Sequence, residues 1–443
     1  MATLKPYKGL RYNSEKISEL NTVMTPPYDI ISEKEQKDFY EKSPYNVIRL
    51  EYGVINDDDN DQNNRYTRAA ADLKAWMDEG ILKKEDKDSL YVYEQVFTHN
   101  DVTYSCKGII TLVQLEEFSK GIVLPHEETL SKAKTDRFNL MSTTYSNFSQ
   151  IYCLYLDEKK TVKHIIDNVS AKNPDISFRA DDGILQNLWI IQDAETINAI
   201  VKGFADKQLF IADGHHRYET ALNFRNKMRE ENPSYSPDDL FNYVMMMVVD
   251  MDDEGLLVFP THRMVKDIEN FSETDIVSKL KENFEVQKII VSNRTDVVAK
   301  TIEYELTKCA NKGKVFAFYC GGDYYYKVSL KNFNAVKELM PNKSDAYCGL
   351  DVSVLHSLIL DKIFGIDTEN LANQKNLTYT RSFDEAITSV KDGSFQCSFM
   401  LNATKIREIK DVSLANEKMP QKSTYFYPKL ITGLVMNNFK DLD

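Results

Sequence analysis

Asp213-Gly214-His215-His216-Arg217 places four reactive side chains within five consecutive positions. The apolar stretch Gln208–Ala212 precedes them, and the helical run Tyr218–Arg229 follows. A buried strand that passes through one glycine into a helix puts these groups at the helix N-terminus, where backbone N–H groups lack partners and the dipole is positive. Gly214 lets the backbone come close to a phosphate. Arg217 adds a planar, permanently charged fork that matches phosphate oxygens. His215 and His216 can donate to an anion, transfer a proton or ligate a metal. Asp213 can hold a divalent cation or orient a histidine. The plain alternative is that the acid and the histidines only cap the helix, but four such groups behind a buried strand are costly to place for capping alone. The chain contains neither G-x-x-x-x-G-K-[ST] nor G-x-G-x-x-G, so this is not a Walker loop or a dinucleotide fingerprint.

A second segment is Pro125-His126-Glu127-Glu128-Thr129. Its proline holds the charged residues on a loop or a first helical turn. A carboxylate so placed can act as general base for a hydroxyl, worth about 10²–10⁴ in rate. It can equally be an acidic first turn that favours its own helix dipole. Position 130 is leucine, so no H-E-x-x-H zinc motif forms. Arg137, Lys422 and Ser423 can meet a carboxylate or phosphate, with a solvated surface as the alternative. Pro26-Pro27-Tyr28-Asp29 reads as a rigid turn. Asn56–Asn64 is rich in Asp and Asn, but it has Gln62 and Arg68 where a calcium loop needs Gly and Glu.

The elements that must position these groups follow from pattern. Ser32 reads as an N-cap, with Glu33 and Glu35 in the first turn of its helix. Asn46–Tyr52 alternates like a strand. Tyr66, Ala69, Ala70, Leu73, Trp76 and Met77 recur at helical spacing, and Gly80 is the stop. Tyr91–Phe97 and Gly108–Val113 read as a hairpin. Gln150–Leu156 and Tyr243–Val249 read as buried strands, and Ala194–Phe204 as a helix. Beyond about Asp267, Lys- and Glu-rich helices alternate with strands. Gly321-Gly322-Asp323 marks a hairpin turn, and Leu350–Phe364 an amphipathic helix. The predicted organisation is α+β, with an N-terminal α/β segment over residues 1–90, a core over 91–267 and a C-terminal α+β domain over 268–443.

With 443 residues, the chain can bury a substantial core without staples. Its 25 Tyr and 22 Phe against 2 Trp predict a core rich in Phe and Tyr. A formal net charge of -13 opposes DNA and anionic membranes while leaving room for a locally positive pocket. The six cysteines form no C-x-x-C pair, as expected of free buried thiols in a reducing compartment. No stretch approaches a membrane span or a signal peptide, so a cytoplasmic location is expected.

The strings TPPYDIIS (25–32), PHEET (125–129), LFIADGHHRYETAL (209–222) and MPQKSTYFYPKL (419–430), in this order along the chain, resemble a widespread bacterial family known as domain-of-unknown-function family ten-fifteen. That family looks related to proteins of the ParB/sulfiredoxin fold, among them kinases that phosphorylate free L-serine. The resemblance implies a mixed-sheet ParB/sulfiredoxin-like core. It also implies phosphoryl transfer from ATP or ADP with Mg²⁺ to the hydroxyl of L-serine. In those terms Gly214, His215, His216 and Arg217 would bind nucleotide phosphate, and Asp213 and His215 would hold the metal. Glu127 would be the base, with Asp213 and His216 also catalytic. Glu128, Thr129, Arg137, Lys422 and Ser423 would meet the substrate. The expected partners are a nucleotide and a small hydroxylated metabolite, with no DNA and no membrane, and a homodimer is compatible. Two alternatives stay open: a metal-dependent phosphohydrolase using Asp213, His215 and His216, and a non-enzymatic ParB-like nucleotide-binding regulator.

Overall fold

The computed structural model describes residues 1–129, 131–367, 369–370 and 375–440, with the side chains of 131–133 excepted. The chain divides into two compact units. One comprises residues 1–125, 129–257 and 428–443; the other comprises 126–128 and 258–427. The N-terminal segment and the core read from the sequence thus fall in one unit, and residues beyond 427 return to it after the whole second unit has been traversed.

The first unit is built on a mixed sheet. Its strands are β1 (Leu4–Lys5), β2 (Leu90–His99), β3 (Val102–Gln114), β4 (Val123–Leu124), β5 (Ile151–Tyr155), β6 (Ile176–Arg179), β7 (Leu185–Ile191), β8 (Leu209–Asp213) and β9 (Tyr243–Asp250). The order is β4-β8-β5-β9-β3-β2-β7-β6, with β1 added on β3. The β8–β4 and β9–β5 pairs are parallel, and β8 runs antiparallel to β5. Every residue of β9 and β5 is buried, which explains why both read as continuous apolar runs rather than alternating ones. The β2–β3 hairpin turns at Asn100 and Asp101, both at positive φ (49° and 61°), the conformation that Asn and Asp tolerate in a tight hairpin.

Helices cover the sheet. They are α1 (Glu33–Lys42), α2 (Ile48–Glu51), α3 (Arg65–Asp78), α4 (Ser131–Thr144), α5 (Thr161–Ser170), α6 (Ala194–Gly203) and α7 (His215–Glu231). Ser32 caps α1 through a reciprocal pair with Glu35, as its sequence indicates. The predicted strand over Asn46–Tyr52 is instead the short helix α2. The Asn46 side chain accepts from the Ile48 N–H at 2.9 Å and turns the chain into a helix, and this local bond outweighs the alternation.

Helix α7 carries the candidate site and is fixed at two points. Tyr218 is fully buried, and its hydroxyl both accepts from the Glu116 N–H (3.0 Å) and donates to the Glu116 carbonyl (2.8 Å). Its ring stacks on Phe118. Two turns later Arg225 donates to the Leu115 carbonyl at 2.7 Å and pairs with Glu117. Phe224, Leu222 and Ala221 pack into the same apolar core as Ile211, Cys153 and Val248.

The second unit holds a six-stranded antiparallel sheet of β10 (His262–Val265), β11 (Phe284–Ile290), β12 (Val315–Tyr319), β13 (Tyr324–Leu330), β14 (Leu377–Thr380) and β15 (Cys397–Met400), in the order β11-β13-β12-β15-β10-β14. Phe316 and Phe318 join one apolar cluster while Val315, Ala317 and Tyr319 join another. Successive β12 side chains point to opposite faces, so this sheet is buried on both sides. The β12–β13 turn at Gly321 and Gly322 has positive φ at both glycines (97° and 84°), as their sequence predicts. The helix expected over Leu350–Phe364 begins as an α-helix at Asp351–Val354 and widens into a π-helix over Leu355–Asp361. All six cysteines are free, and five of them are buried. Among the described residues, no helix is long and apolar enough to cross a membrane.

Replacing Tyr218 with Phe leaves the Glu116 N–H and carbonyl without their partner. The expected loss is about 1–3 kcal/mol of stability, read as a lower midpoint of urea unfolding.

Candidate functional site

The site is built where β8 ends. The β8–β5 register shifts between Ile211 and Asp213, an irregularity of the kind that re-aims a side chain at a strand end. Gly214 follows at φ 94° and opens α7. A side chain here would be strained, and its Cβ would lie 2.9 Å from the Arg217 Nε. The glycine therefore serves two purposes: it turns the chain and it makes room for the Arg217 guanidinium to fold back over the turn.

Arg217 donates to Asp213 Oδ2 at 2.7 Å. Its other terminal nitrogen donates to the Gln150 carbonyl at 2.7 Å and to Ser149 Oγ at 3.2 Å. On the other side of the carboxylate, Lys429 Nζ donates to Asp213 Oδ1 at 2.6 Å. Burial works to raise the Asp213 pKa, but Lys429 and Arg217 overcome it and hold the carboxyl well below the usual range. Burial likewise opposes the Arg217 charge, but Asp213, Asp29, Tyr28 and Glu51 together outweigh it, so its pKa is raised. Both Asp213 oxygens are thus engaged by cations, and a metal ion bound there would have to displace Lys429. Among the described residues, no group of three or more His, Cys, Asp or Glu side chains is arranged to hold a metal.

The corner is not sealed in apolar packing. Asp213, Gly214, His216 and Arg217 are all partly exposed, whereas His215 is buried. Behind Arg217 runs a buried polar chain. Ser149 donates to Glu51 at 2.8 Å, and Arg137 lies 3.4 Å from the same carboxylate. Arg137 also donates to Asp136 at 2.8 Å and to the Glu51 carbonyl at 2.8 Å, and it lies over the Tyr28 ring at 3.9 Å. Burial pushes the Glu51 carboxyl up, against the opposing pull of Arg137 and Ser149. A cavity of about 30 Å³ beside these residues has room only for solvent. Arg137, expected to meet substrate, is therefore buried within a structural network that braces Arg217 through Ser149.

The remaining expected residues separate. Thr129 donates to Glu219 at 2.7 Å, which Lys134 also reaches at 2.9 Å. In the second unit, Glu127 Oε1 accepts from the Lys422 N–H at 3.3 Å, and His126 Nε2 lies 3.0 Å from Thr424 Oγ1. The PHEET and MPQKST strings are thus neighbours, as shown also by the parallel bridge between Glu127 and Met419. Lys422 is exposed and at positive φ. Ser423 is buried and turned inward onto the Pro420 carbonyl. Glu128 is exposed. Sequence reasoning missed Lys429, although a signal existed: it is a lone lysine within the otherwise apolar and aromatic run Tyr425–Leu430.

A family model described as "Protein of unknown function (DUF1015)" matches residues 4–353. The chain belongs to that family. No curated protein matches it. Among solved structures, a free serine kinase in complex with AMP is similar at 13% identity and a TM-score of 0.34, covering 74% of this chain and 92% of the other. A conserved hypothetical protein from Pyrococcus furiosus is similar at 13% identity and a TM-score of 0.33, covering 74% of this chain and 95% of the other.

Replacing Lys429 with Met leaves a buried carboxylate with one cation fewer, and the expected cost is about 3 kcal/mol or more, read by urea unfolding. The depressed Asp213 pKa contributes stability above the unfolded carboxyl value of about 3.9, and that stability is lost as pH falls through and below it. Asp213→Asn should accordingly flatten the acid limb of the stability profile below about pH 4, measured by unfolding midpoints across a pH series.

Proposed function

We propose that this protein is a phosphotransferase that moves a phosphoryl group from ATP or ADP to the hydroxyl of a small metabolite, with free L-serine as the acceptor. The observation that carries this reading is the charge balance at the start of α7. Two cations, Lys429 and Arg217, converge on the single Asp213 carboxylate beside the positive end of a long helix. Gly214 brings backbone within reach of an anion there, and His216 is partly exposed at the same turn. Phosphoryl transfer needs phosphate positioning, charge neutralisation and a base for the attacking hydroxyl, with little covalent chemistry from the protein. The α7 corner supplies the first two.

Glu127 takes the third role in this proposal. Its carboxylate is partly exposed, and its Oε1 accepts from the Lys422 backbone N–H at 3.3 Å, which helps to orient it. Glu128 is the fallback base, being wholly exposed and lacking that hold. Magnesium would arrive on the nucleotide phosphates, as it commonly does; with both Asp213 oxygens engaged, no step is routed through a metal at Asp213 and His215. The resemblance stated from the four motifs leads to the same reaction class.

The test is a panel of ATP and ADP with magnesium, offered with L-serine and other small hydroxylated metabolites and followed by phosphorus NMR. O-phosphoserine is expected from the wild-type chain. Glu127→Gln should lower the rate by about 10²–10⁴, and Arg217→Lys should raise the KM for nucleotide while circular dichroism stays native. Absence of transfer to any acceptor, or full activity in Glu127→Gln, would overturn the corresponding part of the proposal.

A further inference from the structure

The second unit contains a cavity of about 430 Å³, well within the roughly 300–1,000 Å³ range of small-molecule sites. None of the residues assigned above to phosphoryl transfer lines it. Its floor is the π-helix Leu355–Asp361, a local widening that recurs at functional sites because it displaces side chains from the ordinary helical register.

His356 sits on that helix and lines the cavity. It is only 8% exposed, and its Nε2 has no hydrogen-bond partner. Burial, reinforced by the neighbouring Arg263, lowers its pKa well below the ordinary histidine value, so the ring is neutral at physiological pH. An imidazole nitrogen left unpaired at such a depth is costly unless something else satisfies it.

Arg263 makes the second, independent observation. It is completely buried. Its guanidinium donates to the backbone carbonyls of Thr261 and Lys422 and lies over the Tyr379 ring at 5.3 Å, while its Nε has no partner. Among the described residues it forms no ion pair. Burial draws its pKa down to about 10, so it still carries its charge at neutral pH. Every other buried arginine described above has a carboxylate against it. Arg263 does not itself line the cavity, but its charge acts on His356, which does.

Asp361, five residues on from His356 along the same π-helix, also lines the cavity, and the i→i+5 spacing of a π-helix sets the two about one turn apart. Asp361 and Asp367, which lines it too, are exposed. Lys362, between them in sequence, is likewise a lining residue and is paired with Glu282 at 3.5 Å. Leu339, Met340, Ile366 and Pro420 add apolar surface. A nucleotide fits this arrangement poorly, because its phosphates would meet the two aspartates. A molecule that carries an anionic group and an ammonium on one carbon, with an apolar body beyond it, fits it well.

We propose that this cavity is a second ligand site, for an α-amino acid with an apolar side chain. Its carboxylate is received at His356, within the field of Arg263, its ammonium by Asp361 and Asp367, and its side chain by the apolar lining residues. The cavity residues all belong to the second unit, and the proposal stands whether or not the α7 corner transfers phosphate.

Isothermal titration of the full-length protein with L-leucine and L-phenylalanine tests it. 3-Methylbutylamine serves as the control without a carboxylate, 4-methylpentanoate as the control without an ammonium, and L-serine as the control without an apolar body. At least one of the two apolar amino acids is expected to bind, with the two charge-deleted controls weaker by about tenfold or more, in line with the loss of a charge-assisted hydrogen bond, and L-serine weaker by about tenfold through its lost apolar burial. Met340→Trp should fill the cavity and abolish binding while circular dichroism stays native. The double variant Asp361→Asn, Asp367→Asn, confined to exposed positions, should weaken binding about threefold to fivefold and serves as the test if Met340→Trp does not fold. Failure of both amino acids to bind at millimolar concentration would overturn the proposal, as would equal binding of the decarboxylated amine or unchanged binding in the double variant.

Discussion

A carboxylate held between two cations organises the first unit. Asp213 is drawn out of the strand by an irregular register, and it can stay ionised in a largely buried place only because Lys429 and Arg217 stand 2.6 and 2.7 Å away. Removing either partner would leave charge that water reaches poorly, and for that reason buried ion pairs resist piecemeal change. Arg217 in turn is held by the Gln150 carbonyl and by Ser149, and Ser149 by Glu51. A continuous polar path thus runs from the turn at Gly214 to the short helix α2 and to Arg137 on α4. The turn cannot shift without disturbing each of them.

The two units contrast in how they treat buried guanidinium groups. In the first unit Arg137, Arg217 and Arg225 each face a carboxylate, so the charge is compensated within the protein. In the second, Arg263 has, among the described residues, only carbonyls and an aromatic face. Compensated charge mainly fixes geometry. Uncompensated charge projects a field onto its neighbours, and here one of those neighbours is His356, which lines a cavity.

How much of this can be read from sequence depends on how local the cause is. The β8–Gly214–α7 succession is encoded within about twenty consecutive residues, with apolar run, glycine and helical period all in place, and the structure has it where the pattern puts it. The hairpin at Asn100 and Asp101 and the cap at Ser32 are equally local. Asn46–Tyr52 misleads because its alternation is real, but one side-chain bond from Asn46 to the Ile48 N–H bends it into a helix. The π-helix at Leu355–Asp361 has no period of its own to recognise in so short a run. Arg137 looks like a substrate ligand in one dimension, and only the fold reveals Glu51 beside it. Lys429 is the most instructive case: its partner lies 216 residues away, beyond any local pattern, and only its isolation among apolar neighbours sets it apart.

That separation also bears on biosynthesis. The first unit is interrupted between residues 257 and 428, so a ribosome delivers Asp213, Gly214 and Arg217 long before the ammonium that completes their set. Translation at about 5–20 residues per second leaves a nascent chain with the anionic member paired to one cation for the time needed to make the entire intervening insertion. The corner is consequently completed only once the final segment has been made.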